Sequence, residues 1–408
     1  MRIEANPLFD EKFFAPALRL VRDYSRNARR GDDGLDDESF VRLGLQRALD
    51  GDESGRCFLQ ALGDNGQPLA RSTWFDAFQS QRRLAVTAEV ADVSYAQFEK
   101  ELAGRDWLGA FEELNDRAVW AFDGHQIEHA CHAQRDGKAR AVPAGLIYGM
   151  CLHSGLMRPI DWFQGDGQRR HEWPVFKGRL PSVLARDRRV CLPIAVVDPA
   201  YIDIMHWSQL KRLKQAVFIS REKENMKPEV ISHYPFDPED PVNRGVIADE
   251  MAGYSCAYLR RIRYRDPETK EELVFITTDP WLRPGLVALL YLMRWKIEKA
   301  YDVFKNRLFV RKAWGNGKTS LLQQGHFLTL LHNLLTLLLN DLEQDGITET
   351  KVLRRQAPRH TDTPSRRMVR HVHIHTAQFI RAVRNLIASA TRWDDALPIL
   401  KLRLESYL

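Results

Sequence analysis

The sequence predicts an α/β protein whose mixed sheet lies between two helical regions. Three observations carry this prediction. Residues 1–112 show helical periodicity, apolar strand-like runs alternate with helices from about 115 to 278, and helical periodicity then returns. We therefore expect a helical domain at 1–112, a sheet domain at 113–325 with a β-rich insertion at about 222–278, and a helical region at 326–408.

The composition describes a globular protein with an uneven distribution of charge. The chain has 408 residues, 44% hydrophobic and 28% charged, which is enough for two or three domains. Of the net charge of +6, residues 351–408 contribute +8 (twelve Lys/Arg, four Asp/Glu) and residues 1–350 contribute −2 (48 against 50). A basic C-terminal region is typical of a protein that contacts a polyanion, although a solvated basic tail has the same composition.

Cysteine usage and hydropathy bear on the compartment. The five cysteines are scattered and never spaced as C-x2-C, which argues against a disulfide framework or a zinc knuckle. The N-terminus lacks the pattern of a signal peptide. The most apolar stretch, Phe327–Leu339, is thirteen residues long and contains His332 and Asn333. It is too short to cross a bilayer, and we expect a cytoplasmic protein with no membrane segment.

The N-terminal region contains short helices separated by polar turns. The predicted helices are 40–49, 56–62 and a third that runs from a cap at Ser72 or Thr73 to Arg83. A short helix, a turn and a capped helix with Arg82 and Arg83 on its surface resemble a DNA-reading helix-turn-helix. An ordinary pair of small helices fits the same residues.

The central region has the periodicity of strands. The predicted strands are RAVWAFDGHQI, AVPAGLIYGMCLHSG, VCLPIAVVD and, after the helix AYIDIMHWSQLKRL, VFISR. Leu192–Val197 is an almost continuous apolar run, which is typical of a strand covered on both faces. This order of strands and helices predicts the mixed sheet.

The insertion is rich in proline and charge and ends in a predicted hairpin of CAYLRRIRYR and ELVFIT. Its arginines, Arg260, Arg261 and Arg263, alternate with Tyr258 and Tyr264. This pattern suits the lining of a nucleic-acid channel. It suits a solvent-facing strand edge equally well.

A charged stripe follows the insertion. Tyr291, Arg294, Glu298 and Lys305 occur in the predicted helix 289–308, and at about 100° per residue their side chains fall within an arc of roughly 60°. The neighbouring stripe is apolar, so the charged row borders a buried face. On spacing alone, an ordinary amphipathic helix with an i,i+4 charge pair is the stronger interpretation.

Two aspartates change that interpretation. Asp123 is predicted to close the first strand and Asp198 to close the buried apolar strand, whereas Glu298 lies on the later helix. Acids at the ends of central strands are typical of α/β active sites. Carboxylates from three separate elements are the hard oxygen ligands that a two-metal phosphoryl-transfer site needs.

With these three acids and the full Tyr-x2-Arg-x3-Glu-x6-Lys signature, the chain resembles DDE transposases of the insertion-sequence-4 family. The resemblance covers about residues 115–310, and it includes the segments 198–227 and 273–308. It implies an RNase H-like mixed sheet with a β-rich insertion before the glutamate helix, flanked by helical N- and C-terminal regions. It also implies cut-and-paste movement of a DNA element.

The resemblance assigns roles to individual residues. Asp123, Asp198 and Glu298 would hold two Mg²⁺ ions, for which Mn²⁺ would substitute, to activate water or a 3′-OH and to stabilise the leaving oxygen. Arg294 and Lys305 would bind phosphates near the cleaved end, with Tyr291 hydrogen-bonding beside them. Relatives also stack a flipped base on a tryptophan, for which Trp281 is a candidate. Many relatives have threonine where this chain has His125, so the role of that residue is open.

The implied partners are the terminal inverted repeats of the element, the target DNA and a second copy of the chain. Residues 1–112, with Arg82 and Arg83, would contact DNA. The C-terminal region would supply dimer or DNA contacts, with Phe327–Leu342 or Asp395–Leu408 as the dimer surface. A nuclease on the same fold and a DNA-binding protein without catalysis are the alternatives.

Three other motifs have simpler explanations. Gly315–Ser320 resembles a phosphate-binding loop, but position 312 is a lysine and the segment follows a helix, so a turn between helices is the better interpretation. His125, His129, Cys131 and His132 have helical zinc-site spacing in a segment predicted as strand. His371, His373 and His375 alternate on a possible basic strand.

Overall fold

The computed structural model describes residues 13–25, 35–50, 54–64, 66–135, 138–165, 172–186, 191–254, 257–267, 269–302, 313–315 and 317–344. Among them, nine strands form one sheet in the order β3-β2-β1-β4-β5-β9-β8-β7-β6. The strands are β1 Val119–Arg135, β2 Lys138–Cys151, β3 Met157–Gln164, β4 Ile194–Val197, β5 Val217–Arg221, β6 Glu229–His233, β7 Val246–Tyr254, β8 Ala257–Arg265 and β9 Glu272–Thr277.

Helices flank this sheet in sequence and in space. The described helices are α1 Ala15–Ser25, α2 Asp37–Asp50, α3 Gly55–Asp64, α4 Arg71–Gln79, α5 Gln81–Glu101, α6 Glu172–Leu184, α7 Ile204–Arg212, α8 Pro284–Met293, α9 Trp295–Asp302 and α10 Lys318–Gln344. None of them, within the described residues, is both long enough and apolar enough to cross a bilayer.

The first five strands have RNase H-like order and direction. β1 pairs antiparallel with β2, and β2 with β3, whereas β1, β4 and β5 are parallel to one another. The four residues of β4 are all buried, in agreement with the apolar run seen in the sequence. The predicted fold class, a mixed α/β sheet with flanking helices, is therefore confirmed.

The insertion continues the same sheet. β9 pairs antiparallel with β5, and β8, β7 and β6 follow outward from it. The predicted hairpin is present as β8 and β9, but the sequence analysis missed β6 and β7. All five residues of β6 are exposed, so this edge strand lacks the alternation that reveals a strand in a sequence. β3 was missed as well, because Pro159 interrupts its pattern.

Helix α10 joins the N-terminal helices to the sheet. Its Phe327 packs on Phe40 and Phe78, with ring centroids 5.6 and 6.0 Å away, and Trp74 packs on the same two rings. Asn333 of α10 makes two hydrogen bonds with the backbone of Met157 in β3. The boundary that we predicted between 325 and 326 thus falls inside one helix, which shares a hydrophobic core with both neighbours.

The predicted N-terminal helix boundaries need correction. The helix expected to run from Ser72 or Thr73 to Arg83 is two helices, α4 and α5, and neither predicted cap is used because α4 begins after Ala70. Ser80 separates them and caps α5, where its side chain accepts a hydrogen bond from the Arg83 backbone N–H. Gly317, with φ +104°, forms the turn expected before α10.

Candidate active site

Asp123 and Asp198 follow the same paired position of two neighbouring parallel strands. The last parallel pair between β1 and β4 is Phe122 with Val197, and each aspartate is the next residue along the chain. We expected Asp123 to end its strand. It instead lies within β1, which continues to Arg135 because β2 still pairs with it. The point where β4 ends therefore opens a gap beside β1, and both carboxylates are at this edge, hereafter the catalytic edge.

Glu298 lies at the same edge and belongs to α9, which follows a break in the predicted helix. The predicted helix 289–308 is two helices in the described residues, α8 and α9, separated by Arg294. The backbone stays tight there, since Arg294 N–H donates to the carbonyl oxygens of Leu290 and Tyr291, and Ile297 N–H donates to that of Arg294. The i,i+4 phase from Arg294 to Glu298 survives the break. Lys305 lies outside the described residues.

The guanidinium of Arg294 lies between the three acids. Its Nη2 is 2.7 Å from Glu298 Oε1 and 3.8 Å from Asp198 Oδ2, and its Nη1 is 3.8 Å from Asp123 Oδ2. Arg294 is only 3% exposed. The structure thus brings together the three predicted acids and one of the predicted cations, from two strands and a helix.

The electrostatics of this group are unbalanced. Burial raises the pKa of Asp123 to about 6; Arg294 opposes this shift, while Glu298 and Asp198 add to it. Burial disfavours the charged form of Arg294, but Tyr291 and the three acids outweigh it and raise its pKa. Three carboxylates facing one cation leave an excess of negative charge, which a further cation would relieve.

The carboxylate oxygens at this edge are chemically suited to Mg²⁺, but the distances between them are too large for one ion. Carboxylate oxygens are the ligands that Mg²⁺ prefers. As they stand, however, no three His, Cys, Asp or Glu side chains in the described part of the chain are close enough to enclose a metal ion. The reason at this edge is that the Arg294 guanidinium occupies the space between the acids.

The ring of Tyr291 packs against the guanidinium of Arg294. The guanidinium carbon lies 5.3 Å from the centre of the Tyr291 ring, which in turn packs on Phe275 at 5.1 Å. Burial raises the pKa of the Tyr291 hydroxyl. Because this side chain is buried, its direct neighbour in the structure is Arg294, and any contact with DNA stays a prediction.

The sequence analysis missed Tyr301, which fixes the backbone of the site. Its hydroxyl donates to the carbonyl oxygen of Asp123 at 2.7 Å, and its ring stacks on His125 at 5.2 Å and 16°. Tyr301 follows Glu298 by three residues and His125 follows Asp123 by two, so each lies on the same face as its acid. In the structure, His125 therefore packs against the tyrosine that binds the Asp123 backbone. The other members of the supposed zinc cluster, His129, Cys131 and His132, have side chains outside the described part.

Glu172, in the first turn of α6, is a fourth carboxylate at this edge that we also missed. A Cβ on Gly124 would lie only 2.1 Å from Glu172 Oε1, so any larger residue there would displace this carboxylate group. Gly124 N–H also donates to Asp123 Oδ1 at 2.9 Å. Through this glycine the two carboxylates are within about 8 Å of each other. The sequence signal that could have indicated this close approach is Gly124, a glycine directly after the candidate ligand Asp123.

Trp281 lies at the opposite edge of the sheet. It follows β9, whose last residue Thr277 pairs with Ile219, and the neighbouring Thr278 hydrogen-bonds Phe218, near the start of β5. The ten residues of α8 separate this loop from Arg294, a rise of about 15 Å. A base stacked on Trp281 would consequently be remote from the three acids, and the candidate role of this tryptophan in stacking a base stays a prediction.

Arg82 and Arg83 are engaged within the protein. Arg82 Nη2 contacts Asp37 Oδ1 at 2.6 Å, and Arg83 donates to the carbonyl oxygens of Leu35 and Asp36. The side-chain hydrogen bond to Asp37 raises the pKa of Arg82. Both arginines tie the start of α5 to α2, so Arg83 in particular is not the exposed cation that we expected.

The arginines of the insertion are paired as well. Arg260 makes a buried bidentate pair with Asp249, Arg261 pairs with Glu222 and Glu250, and Arg263 pairs with Glu272. Tyr264 is buried. The structure thus contradicts both alternatives, since the arginines are paired, β8 is an inner strand of the sheet and Arg260 and Tyr264 are buried.

No protein-family model and no curated protein matches this chain. Among solved structures, it is similar to the cryo-EM structure of a piggyBac transposase synaptic complex with hairpin DNA. The TM-score is 0.34 and the sequence identity 10%, over 98% of this chain and 84% of that chain. The strand order β3-β2-β1-β4-β5 and its pairing directions define the fold independently of this likeness.

Proposed function

We propose that the chain is a metal-dependent DNA transposase that binds terminal inverted repeats, cleaves the ends of an element and joins the 3′-OH ends to target DNA. The observation that carries this proposal is the convergence of Asp123, Asp198 and Glu298 on one edge of an RNase H-like sheet, around a buried arginine. The family resemblance of the sequence points the same way.

In this proposal the acids bind cations and the arginine binds DNA. Asp123, Asp198 and Glu298 would hold Mg²⁺, which supplies charge neutralisation at the attacking and leaving oxygens when bound. The Arg294 guanidinium now neutralises the acids. Its Nε and Nη1 lack a hydrogen-bond partner in the structure. Once the guanidinium is released from the acids, these atoms would donate hydrogen bonds to a phosphate. Tyr291 would hold the guanidinium in position, and Lys305 would contact the same strand.

The reaction would proceed in two steps at the same edge. A water oxygen attacks phosphorus at the element end, the bond from phosphorus to the 3′ oxygen breaks, and a 3′-OH is released. That hydroxyl then attacks a phosphorus of target DNA, the bond from this phosphorus to the 3′ oxygen of the target strand breaks, and a target 3′-OH leaves. Both steps depend on positioning and charge neutralisation, which an edge with fixed backbone provides. Residues 1–112 and the basic C-terminal region would bind DNA, and the active form would be a cytoplasmic homodimer on two paired ends.

The test is cleavage and joining of DNA that carries the inverted repeats bordering this gene, with Mg²⁺ supplied. We expect wild-type protein to release ends and form joined products. Glu298→Gln should reduce cleavage by at least about 10²–10³-fold, the usual cost of one group that stabilises transition-state charge. The matched control is Glu224→Gln, an exposed glutamate of the insertion, which should cleave at the wild-type rate.

Two outcomes would contradict the proposal. Undiminished cleavage by Glu298→Gln, with its thermal unfolding unchanged, would remove the glutamate from the reaction. Cleavage without joined products at any target concentration would identify a nuclease on the same fold.

A further inference from the structure

The two longest described strands, β1 and β2, continue beyond the catalytic edge as a two-stranded ribbon. β4 pairs with β1 only as far as Phe122, and β3 pairs with β2 only from Ala144 onward. Past these points the two strands pair with each other. We name residues 128–135 of β1 and 138–143 of β2 the β1–β2 arm. Because β1 passes through Asp123 before it enters the arm, the arm projects from the same edge as the acids.

A shift in register lies at the base of the β1–β2 arm. Ile127 pairs with Ala144 but Cys131 pairs with Val142, so three residues of β1 are opposed by one residue of β2. That residue is Pro143, which has no N–H to donate to a neighbouring strand. An irregularity of this kind bends a strand pair and increases its twist. It therefore marks the point where the arm separates from the rest of the sheet.

The register beyond this shift places three cations on one face of the arm. Arg135 is directly opposite Lys138, and Ala133 is directly opposite Arg140. Opposed residues of a strand pair share a face, and so do residues two apart along one strand. The three cations and Ala133 therefore lie on the same face, hereafter the basic face. The residues of the other face are His132, Gln134, Ala139 and Ala141.

The charge of the basic face disfavours the strand pair that carries it. Between residues 131 and 142 the sequence has three cations, at 135, 138 and 140, and one acid, Asp136. Like charges at directly opposed positions, as at Arg135 and Lys138, destabilise a strand pair. Lys138 and Arg140 are about 7 Å apart along β2, a length that covers about two base pairs of duplex DNA. A charge pattern that costs stability indicates a polyanionic partner that offsets the cost.

We propose that the basic face of the β1–β2 arm binds phosphates of duplex DNA beside the catalytic edge, without reading base sequence. The inference rests on DNA as the partner in the proposed function. A two-stranded ribbon is narrow enough for the major groove, and Lys and Arg on phosphates supply affinity that does not depend on sequence. Arg135 is the twelfth residue after Asp123. At about 3.3 Å per residue the arm reaches up to about 40 Å from that acid, roughly one turn of duplex DNA.

The first experiment measures binding of the full chain, without Mg²⁺, to two duplexes of about 30 base pairs, one with the inverted repeat and one of unrelated sequence. Arg135→Gln/Lys138→Gln/Arg140→Gln should bind both duplexes at least about tenfold more weakly at about 50 mM salt. The slope of log affinity against log salt should fall by about 2–3, because each lost phosphate contact removes about 0.9.

The control for this variant removes the same charge elsewhere. Arg186→Gln/Lys211→Gln/Lys214→Gln changes three exposed cations outside the arm. It should keep the wild-type slope and bind both duplexes within about twofold of wild type.

A second experiment compares two neighbouring positions on opposite faces of the arm. Ala133→Glu adds a negative charge to the basic face, and Gln134→Glu adds the same charge to the other face. We expect Ala133→Glu to bind duplex DNA about fivefold more weakly and Gln134→Glu less than about twofold, because only the first charge lies among the phosphate contacts. Thermal unfolding of both variants verifies that the fold is retained.

The outcomes separate this inference from the proposed function. Equal loss of affinity in Ala133→Glu and Gln134→Glu, or a triple variant that binds like its control, would overturn the arm alone when wild type still cleaves. A loss confined to the inverted-repeat duplex would also overturn it, because phosphate contacts do not depend on sequence. The expected binding results in a protein that never cleaves would support the arm and leave catalysis without support.

Discussion

Two buried arginines of this protein, Arg260 in the insertion and Arg294 at the catalytic edge, are used in opposite ways. Arg260 meets one aspartate through two hydrogen bonds of 2.8 and 2.5 Å, and its remaining Nη1 donates to a backbone carbonyl. Arg294 faces three acids, makes one contact at 2.7 Å and two at 3.8 Å, and leaves Nε and Nη1 without hydrogen bonds. The first arrangement is saturated, and the second has surplus charge and unused donors.

This difference separates a structural ion pair from a candidate site. A buried pair that is fully hydrogen-bonded gains nothing from a further ligand, since every donor is already used. The cluster around Arg294 would gain from two ligands, a cation for the acids and an anion for the guanidinium. Unbalanced charge that the fold holds in place is what a site for metal-assisted phosphoryl transfer requires.

The largest expected effect comes from removing each arginine in turn. Arg260→Gln should destabilise the protein by about 3–5 kcal/mol, because it leaves the buried Asp249 carboxylate uncompensated. Arg294→Gln should fall at the lower end of this range, because the three acids around it are partly exposed. Mg²⁺ should restore part of the loss in Arg294→Gln alone, by about 2.7 kcal/mol at a hundredfold excess over its Kd. Thermal or urea unfolding with and without Mg²⁺ measures both. Equal rescue of both variants, or of neither, would erase the distinction between the two regions.

A smaller effect concerns a buried ionisable group outside both regions. His326 of α10 has a pKa lowered to about 4 by burial, and its Nδ1 has no hydrogen-bond partner in the structure. Its unfolded pKa is near 6.5, so the unfolded state binds more protons below that value. The stability is therefore complete above pH 6.5 and is lost as the pH falls toward 4, by no more than about 3 kcal/mol.

The measurement is urea unfolding of wild type and His326→Leu between pH 7 and 4.5, without metal. The leucine variant should lose less stability on acidification. Parallel pH profiles for the two proteins would show that this histidine binds protons equally in the folded and the unfolded state. The acid sensitivity of the fold would then have to be assigned to other groups.

The smallest expected effect tests whether Glu172 belongs to the unbalanced region. Removing its charge beside Gly124 should weaken the attraction of the catalytic edge for cations without removing one of the three acids. For Glu172→Gln we expect the Mg²⁺ concentration at half-maximal cleavage to rise about tenfold, as for residues that support a metal site from its second layer. Glu112→Gln, at an exposed position in a short turn, should leave it unchanged. An identical Mg²⁺ dependence in both variants would make Glu172 a packing residue.

Much of the central fold was predictable, because its strands have strong local signals. The apolar run before Asp198 is the fully buried strand β4, and VFISR is β5 to the residue. β6 and β3 lacked such a signal, the first because it is exposed on an edge and the second because of Pro159. Helix ends were less predictable. Ala70 precedes α4 without a side-chain cap, and Ser80 separates α4 from α5 where the spacing of apolar residues predicts one continuous helix.

The site was predictable in its members and unpredictable in its arrangement. The spacing of Arg294 and Glu298 correctly indicated an i,i+4 pair, and the sequence placed two aspartates after apolar strands. The same reasoning placed Arg82 and Arg83 on an open helix surface. Their contacts with Leu35, Asp36 and Asp37 were missed because these contacts join residues far apart in the chain.

The sequence by itself determined the class of fold and made Asp123, Asp198, Glu298 and Arg294 candidates, because each has a signal within a few residues. Only the tertiary structure decided that β4 ends at Val197 while its neighbour β1 continues past Asp123. This difference places Asp123 and Asp198 together beside Arg294. It alone assigned Tyr301, Gly124 and Glu172 to that edge and Trp281 to the other. These are consequences of strand register and packing, which join residues that no local pattern connects.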